Sequence, residues 1–278
     1  MARYGVASFV LASTAVSGSA QERRSFVGFD RNDYPGDAAL ASLQKQFSFV
    51  GYWLTNPPGT MANSWSGKRE ILVRQGFGFL VLANGREEAA IKAAATSQQL
   101  TAIAQGQMDA TVAMAAAKRE RFPAGTVVFL DQEEGGRLTD DQAAYLKGWI
   151  ERLAEGGYRP GVYGSGQPVS EGGGHTITTA QDIRAREASH YFRERVALWV
   201  YQDACPPSNG CRLPAPELEK SGTPGAVAWQ YAQSPRRKEN TAACAKTYAG
   251  DGNCYVPEAP GLHLDLSVAE SDDPSHGR

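Results

Sequence analysis

The sequence predicts an α/β protein with a parallel sheet, and its clearest strand lies at residues 126–133. Mostly β-branched and aromatic residues lead there into Asp131 and Glu133. A strand that helices cover on both faces has this continuous apolar character. Similar runs recur along the chain and alternate with helical patterns, which is typical of parallel α/β sheets.

Eight runs have the character of strands, and their number and spacing predict a TIM-type (β/α) barrel. They span residues 26–30, 47–54, 78–83, 126–133, 158–164, 197–202, 226–231 and 262–268. The last three leave little room for helices between them. We therefore predict a single barrel domain over residues 25–270, with few helices between its last three strands.

Helical patterns fill the other connections, and two of them make specific predictions. Residues 86–121 are rich in alanine and predict a helical region with a break at residues 105–107. Residues 139–142 fit a capping box, which marks the start of a helix. Large apolar side chains then recur at helical spacing, and this face should pack on the outside of the barrel. They are Leu146, Trp149, Ile150 and Leu153.

The composition is ordinary for a globular protein, with 21% charged and 42% hydrophobic residues. The net charge of −2 gives no indication of a surface that binds nucleic acid. No apolar run reaches the length of a membrane span. We expect the protein to be a monomer. The short basic run at residues 236–238 is predicted to be solvated.

The two ends of the chain differ from its middle. Residues 1–20 have the pattern of a secretory signal peptide, with Arg3 followed by apolar and small residues up to Ala20. The protein is therefore predicted to be secreted, or to lie in the periplasm or cell envelope. The last residues, 271–278, are predicted to be a disordered tail.

The four cysteines lie in two close pairs, Cys205 with Cys211 and Cys244 with Cys254. Four cysteines allow three pairings, and we expect the two local ones, which suit an oxidising compartment. Neither pair has the tight spacing of a zinc site, and the histidines form no close ligand motif. We expect neither a metal nor a cofactor.

Polar residues at the strand ends indicate a catalytic site. Side chains alternate along a strand, so Asp131 and Glu133 share one face, roughly 7 Å apart at the backbone. Hydrolysis of a glycosidic bond uses two carboxyl groups at about this range. Closing the barrel would bring Asp30 on the first strand close to Asp265 on the last, and neighbouring like charges raise one pKa. The alternative is that these acids belong to solvated loops or bind backbone amides.

Several short motifs occur at the strands in the order of a known family. They are Gly28-Phe-Asp30, Leu130-Asp-Gln-Glu133, Gly161-Val-Tyr-Gly164, Leu198-Trp-Val-Tyr201, Ala228-Trp-Gln-Tyr231 and Leu264-Asp-Leu266. With these motifs the chain resembles the glycoside hydrolase family 25 barrel. Within that clan it looks most like the glycoside hydrolase-like domain of unknown function in exported bacterial proteins.

The resemblance implies a catalytic set of Glu133, Asp131, Asp30 and Asp265. It makes Glu133 the general acid, and Asp131 the group that assists the N-acetyl group of the substrate or stabilises an oxocarbenium ion. Family 25 enzymes cleave peptidoglycan between N-acetylmuramic acid and N-acetylglucosamine. The chain departs from the family at Gln132, where an aliphatic residue is common, and in its cysteine-bearing loops.

The leading interpretation is an exported glycosidase acting on peptidoglycan or a related N-acetylated polysaccharide. Polar and aromatic residues near the strand ends are predicted to contact the glycan: Tyr52, Tyr163, Trp199, Tyr201 and Gln230. The alternative is a catalytically silent barrel that binds glycan or a cell-envelope partner. A zinc-dependent deacetylase ranks last, because His263 is the only histidine near a strand end.

Overall fold

The computed structural model describes residues 1–2 and 25–278, and a closed barrel of eight strands forms its centre. The predicted signal peptide lies almost wholly outside these residues. The barrel strands are β1 (Phe26–Asp30), β2 (Phe49–Trp53), β3 (Gly78–Asn84), β4 (Val127–Gln132), β5 (Arg159–Ser165), β8 (Ala197–Tyr201), β9 (Ala226–Ala232) and β10 (Asp265–Ala269). A separate hairpin of β6 (Val169–Gly172) and β7 (His175–Ile177) follows β5. The predicted α/β barrel is confirmed.

Helices cover the first part of the barrel and almost disappear from the last part. The longer elements are α2 (Arg69–Arg74), α3 (Glu88–Gln98), α4 (Ala102–Arg119), α5 (Asp140–Glu155) and α6 (Thr179–Ala188). The short ones are η1 (Asp37–Ala39), α1 (Leu40–Leu43), η2 (Leu218–Ser221) and η3 (Ala242–Thr247). In the described chain only η2 and η3 lie between the last three barrel strands, as the sequence predicts. No helix in these residues is both long and apolar enough to cross a bilayer.

The barrel closes between its first and last strands, and β10 runs antiparallel to both β1 and β9. The chain leaves β9 at one end of the barrel and enters β10 from the same end. An antiparallel strand needs no crossover to the far end, which explains why no long helix is required there. Asp265 therefore begins β10 but pairs with Asp30, which ends β1.

The helical region differs from its prediction at one point. The break falls between α3 and α4, where Gln99 has a positive φ of 54° and the Thr101 side chain caps α4. Gly106 lies inside α4, and a Cβ there would come within 2.0 Å of the Tyr145 carbonyl oxygen on α5. Its lack of a side chain therefore permits close helix packing and does not break the helix.

Helix α5 begins as predicted and buries the predicted face. Thr139 and Gln142 form both hydrogen bonds of the capping box. The four predicted apolar side chains of this helix are fully buried. They are Leu146, Trp149, Ile150 and Leu153.

The last eight residues close the end of the barrel opposite Asp30, so the prediction of a disordered tail is wrong. The backbone oxygen of Ser275 accepts a hydrogen bond from Val127 N at 2.8 Å, and its hydroxyl accepts one from Val81 N at 2.9 Å. Asp273 Oδ1 accepts from Phe79 N at 2.9 Å. Strands β3 and β4 start at this end, and the tail supplies acceptors for these three strand amides.

Candidate active site

The four predicted acids lie together at the open end of the barrel, which we call the mouth. Asp30 ends β1, Asp265 starts β10, Asp131 lies in β4, and Glu133 follows β4 directly. Asp30 and Asp131 are 7% and 6% exposed, Asp265 is partly buried, and Glu133 is exposed. Gly51 on β2 makes room for this group, because a Cβ there would meet the Cβ of Asp30 at 2.4 Å.

A network of amides and a phenol holds Asp30 in place. Gln230 Nε2 donates to both carboxyl oxygens of Asp30, at 3.1 and 3.0 Å. The Tyr163 hydroxyl donates to Gln230 Oε1 at 2.7 Å, and Gln233 Nε2 donates to the same oxygen at 2.8 Å. Burial raises the pKa of Asp30 to about 7, against the opposing effect of the Gln230 hydrogen bond. The group therefore exchanges its proton near neutral pH.

Asp131 is buried, and one of its carboxyl oxygens lacks a hydrogen-bond partner in the described part of the chain. Its Oδ1 atom meets no hydrogen-bond partner within residues 25–278. Burial raises the pKa of Asp131 well above its usual range, and the charges of Glu133 and Asp30 add to the effect. A buried carboxyl oxygen with no partner is costly in a protein interior, so it marks a position where a ligand could supply the missing hydrogen bond.

Glu133 faces the same pocket as Asp131 from its rim. The pocket has a volume of about 50 Å³, and Glu87 also lines it. Although Glu133 is exposed, partial loss of hydration raises the pKa of its carboxyl group, and the charge of Glu87 raises it further. The Arg237 guanidinium opposes this rise. Glu133 thus combines access to solvent with a raised pKa, as a proton donor requires.

Asp265 is held by the loop that precedes its strand. The Ser234 backbone N–H donates to Asp265 Oδ1 at 2.6 Å. Burial raises the pKa of Asp265 well above the usual range, and the charge of Asp30 contributes next. The closeness of Asp30 and Asp265 expected from barrel closure is therefore present, and the charge of Asp30 acts on the carboxyl group of Asp265.

Three predicted aromatic residues pack together inside the barrel, with their rings inclined to one another. Tyr163 lies 4.7 Å from Trp199 and 5.5 Å from Tyr201 between ring centres. The Tyr201 hydroxyl donates to the backbone oxygen of Glu133 at 2.6 Å. Trp199 is fully buried and donates to Ser267 Oγ, so it supports the floor of the site and does not present a ring to substrate. Gln230, at 1% exposure, likewise acts through Asp30.

Tyr52 lies outside the site, and its prediction as a substrate contact is wrong. Its hydroxyl donates to Glu120 at 2.7 Å, and its ring packs edge-on against Trp65 and Phe122. Side chains alternate along β2, so Tyr52 faces the helices while Gly51 faces the barrel interior beside Asp30. Nearness to the end of a strand did not reveal which face the ring occupies.

The structure adds a loop that the sequence did not single out, at residues 233–241. It supplies Gln233 to the Tyr163 network and Ser234 to Asp265. It also carries Arg237, whose Nε donates to Asp203 Oδ2 at 3.1 Å and whose Nη2 donates to Oδ1. The prediction that the basic run at 236–238 is solvated is thus wrong for Arg237, because its partner Asp203 is fully buried.

Two disulfides fix this loop, and neither is a predicted local pair. Cys205 bonds to Cys244 and Cys211 bonds to Cys254, with Cα–Cα distances of 5.8 and 5.4 Å. Each bond joins the connection after β8 to the connection after β9. The expected pairs would have closed only short loops, whereas these bonds tie two separate segments of the rim together.

A wider groove opens from the pocket. It has a volume of about 620 Å³ and is lined by Thr55, Asn56 and Arg119, among others. Asn84 and Arg86 line both the groove and the pocket of Asp131 and Glu133. The groove, which helix α4 lines on one side, therefore adjoins the pocket of Asp131 and Glu133 through these two residues.

Solved structures share this fold at low sequence identity. An uncharacterised protein from B. stearothermophilus aligns over 88% of this chain and 95% of its own, with 19% identity and a TM-score of 0.58. The Tat-secreted protein Rv2525c from Mycobacterium tuberculosis, in complex with L-tartrate, aligns over 88% of this chain and 95% of its own. Its identity is 10% and its TM-score 0.51. These likenesses concern the fold alone. Among curated proteins none matches the chain.

A family model gives the more specific result. The model of the Rv2525c-like, glycoside hydrolase-like domain matches residues 41–246. The match extends from α1 to η3, and it includes Asp131, Glu133 and Arg237. It confirms the resemblance to the glycoside hydrolase-like domain that the strand motifs predict. The chain belongs to the Rv2525c-like, glycoside hydrolase-like domain family.

Proposed function

We propose that the protein is an exported glycoside hydrolase that cleaves peptidoglycan or a related N-acetylated polysaccharide by carboxylate acid–base chemistry. One observation carries the proposal: Asp131 and Glu133 line one pocket, and the pKa of each is raised. Glycosidic-bond hydrolysis needs one carboxyl group that is still protonated at the working pH and a second beside it.

Glu133 is suited to donate the proton. Its carboxyl group lies at the open rim, where the oxygen of a scissile bond could reach it, and Glu87 helps to keep it protonated. Once the leaving group has taken the proton, Arg237 stabilises the carboxylate that remains, because its charge favours the ionised form. The same carboxylate can then accept a proton from the attacking water.

Asp131 is suited to act on the sugar. In the resting site its burial favours the neutral carboxyl group. Positive charge develops at the anomeric carbon as the bond breaks, and this charge favours ionisation of Asp131, whose proton passes to water in the pocket. The unpartnered Oδ1 can meanwhile bind the N–H of an N-acetyl group. The charge of Asp30 raises the pKa of both Asp131 and Asp265, so these neighbouring acids keep the number of ionised groups low.

The groove and the disulfides support a polymeric substrate outside the cytoplasm. The groove of about 620 Å³ leads away from the pocket and suits a chain of sugars. Two disulfides and no free cysteine fit an oxidising compartment. The similar protein from M. tuberculosis is Tat-secreted.

The test is digestion of purified peptidoglycan and of N-acetylglucosamine oligomers, with new reducing ends identified by mass spectrometry. Glu133→Gln should keep the fold and lower kcat by at least about 100-fold, the low end of general acid catalysis. Gln132→Ala is the control: Gln132 also borders the pocket, but its side chain belongs to the opposite strand face and carries no acid, so kcat should fall only slightly.

Two outcomes would contradict the proposal. The first is a folded Glu133→Gln protein that cleaves glycan at the wild-type rate. The second is wild-type protein that cleaves no N-acetylated glycan yet binds one tightly, which would establish the barrel as a glycan-binding protein.

A further inference from the structure

Arg237 is placed at the mouth in a way that its ion pair alone does not explain. Asp203 is fully buried and holds the guanidinium through Nε and Nη2. A third hydrogen bond, from Gln167 Nε2 at 2.6 Å, reaches the Oδ1 atom of Asp203 that Arg237 Nη2 also contacts. Burying a carboxylate costs free energy, so an ion pair of this kind is not built merely to increase stability.

The guanidinium packs on an aromatic ring that also contacts Glu133. Its centre lies 4.8 Å from the centre of the Tyr201 ring, and the hydroxyl of that ring bonds to the backbone oxygen of Glu133. One aromatic ring thus fixes the arginine on its face and Glu133 at its edge. A ligand that reaches Glu133 passes next to Arg237.

Arg237 keeps donors available for such a ligand. A guanidinium has five N–H groups, and Asp203 takes two of them. The Tyr201 hydroxyl is a further acceptor close to the guanidinium, but the side chain is 29% exposed, so donors remain open to a ligand. The loop that carries it is tied down by the Cys205–Cys244 bond, so the position is preset.

From this geometry we infer that Arg237 recognises a carboxylate on the sugar next to the scissile bond. The inference deepens the proposed function and rests on its glycan-binding part. Any acid of the mouth that ionises would repel an anionic sugar, and Arg237 offsets that repulsion at one place. Its planar donors match a carboxylate, as the lactyl group of N-acetylmuramic acid carries when no peptide is attached.

Binding of two matched ligands tests the inference without any need for turnover. The ligands are the N-acetylglucosamine–N-acetylmuramic acid disaccharide with a free lactyl carboxylate, and the same disaccharide as its uncharged methyl amide. Wild-type protein should bind the acid at least about tenfold more tightly than the amide, as expected for one charge-assisted hydrogen bond. Kd values are measured by calorimetry or by NMR titration.

The variants separate recognition from folding. Arg237→Met should bring the ratio of the two Kd values close to one, mainly by weakening the binding of the disaccharide with the free carboxylate. Arg236→Met is the control, because Arg236 bonds to Thr241 and lies against Gly252, and it should keep the wild-type ratio. Arg237→Met leaves Asp203 buried and unpaired, so the double variant with Asp203→Asn is measured as well and should give the same loss.

Equal Kd values in the wild type, no binding of either ligand, or a ratio that survives in folded Arg237→Met protein would overturn the inference. Hydrolysis is measured separately on glycan strands with free and with amidated lactyl groups. Cleavage of both at equal rates would refute the role of Arg237 and leave the proposed hydrolase intact. If wild-type protein shows the roughly tenfold ratio of Kd values but cleaves neither glycan, only the proposed hydrolase is refuted.

Discussion

Asp273 at the closed end of the barrel and Asp131 at the mouth differ in how far the protein satisfies their hydrogen bonds. At the closed end Asp273 accepts backbone hydrogen bonds on both oxygens, from Phe79 and Gly277 on Oδ1 and from Arg278 on Oδ2. At the mouth Asp131 is buried, and its Oδ1 has no partner in residues 25–278. The backbone thus satisfies the aspartate that holds the closed end together, whereas one oxygen of Asp131 at the mouth is left without a partner in this part of the chain, and that unmet oxygen points to ligand chemistry.

The largest expected effect concerns stability at the mouth. Folding raises the pKa of Asp30 from 3.8 to about 7, so the folded protein keeps a proton that the unfolded chain releases. The contribution of protonated Asp30 to the free energy of unfolding is complete below about pH 4. It is lost as the pH rises to about 7, a difference of up to about 4 kcal/mol. Asp30→Asn should remove this part of the pH dependence.

Denaturant melts at pH 4, 5.5 and 7 measure the effect. Wild-type protein should lose free energy of unfolding across this range, and Asp30→Asn should lose less. Parallel curves for the two proteins would show that Asp30 does not carry the proton.

The next effect is on catalysis. Asp131→Asn should lower kcat/KM on a cleaved glycan at least about 100-fold, because an amide cannot ionise as positive charge develops. Its free energy of unfolding should equal or exceed that of the wild type, because a buried acid has been removed. Loss of both activity and stability would show that Asp131, like Asp273, stabilises the fold.

The closed end should respond in the opposite sense. Asp273→Ala removes the acceptor of three backbone amides and should cost about 1–3 kcal/mol of stability. Its kcat on the same glycan should stay at the wild-type value. Asp272→Ala is the matched control, because that side chain is 48% exposed and should cost less than about 0.5 kcal/mol.

The smallest effect is a shift in the pH profile. Glu87 lines the pocket, and its charge raises the pKa of Glu133. Glu87→Gln should therefore lower that pKa and move the loss of kcat on the alkaline side to lower pH, by less than about one pH unit. A shift to higher pH would contradict the assigned electrostatics.

Local patterns predicted the parts of the structure that neighbouring residues determine. The apolar run of β4, the capping box at Thr139 and the shared face of Asp131 and Glu133 follow from spacing along the chain. The disulfide partners, the docking of Ser275 and the ion pair of Arg237 with Asp203 join residues far apart in sequence. No periodicity encodes such contacts. The side occupied by Tyr52 was missed because its strand is buried on both faces, so no alternation of polar and apolar residues was visible.

Closure of the barrel between β1 and β10 has a consequence for folding. Phe26 pairs with Ala269, so nearly the whole chain must form a loop before the contact is made, and loops of this length close slowly. Until then Asp30 and Asp265 lie in water and ionise as ordinary carboxylates. Joining the two strands dehydrates both groups and draws protons from the solvent. The rate of this step should therefore depend on proton concentration, so that assembly is easiest in acid and slows as the medium becomes neutral.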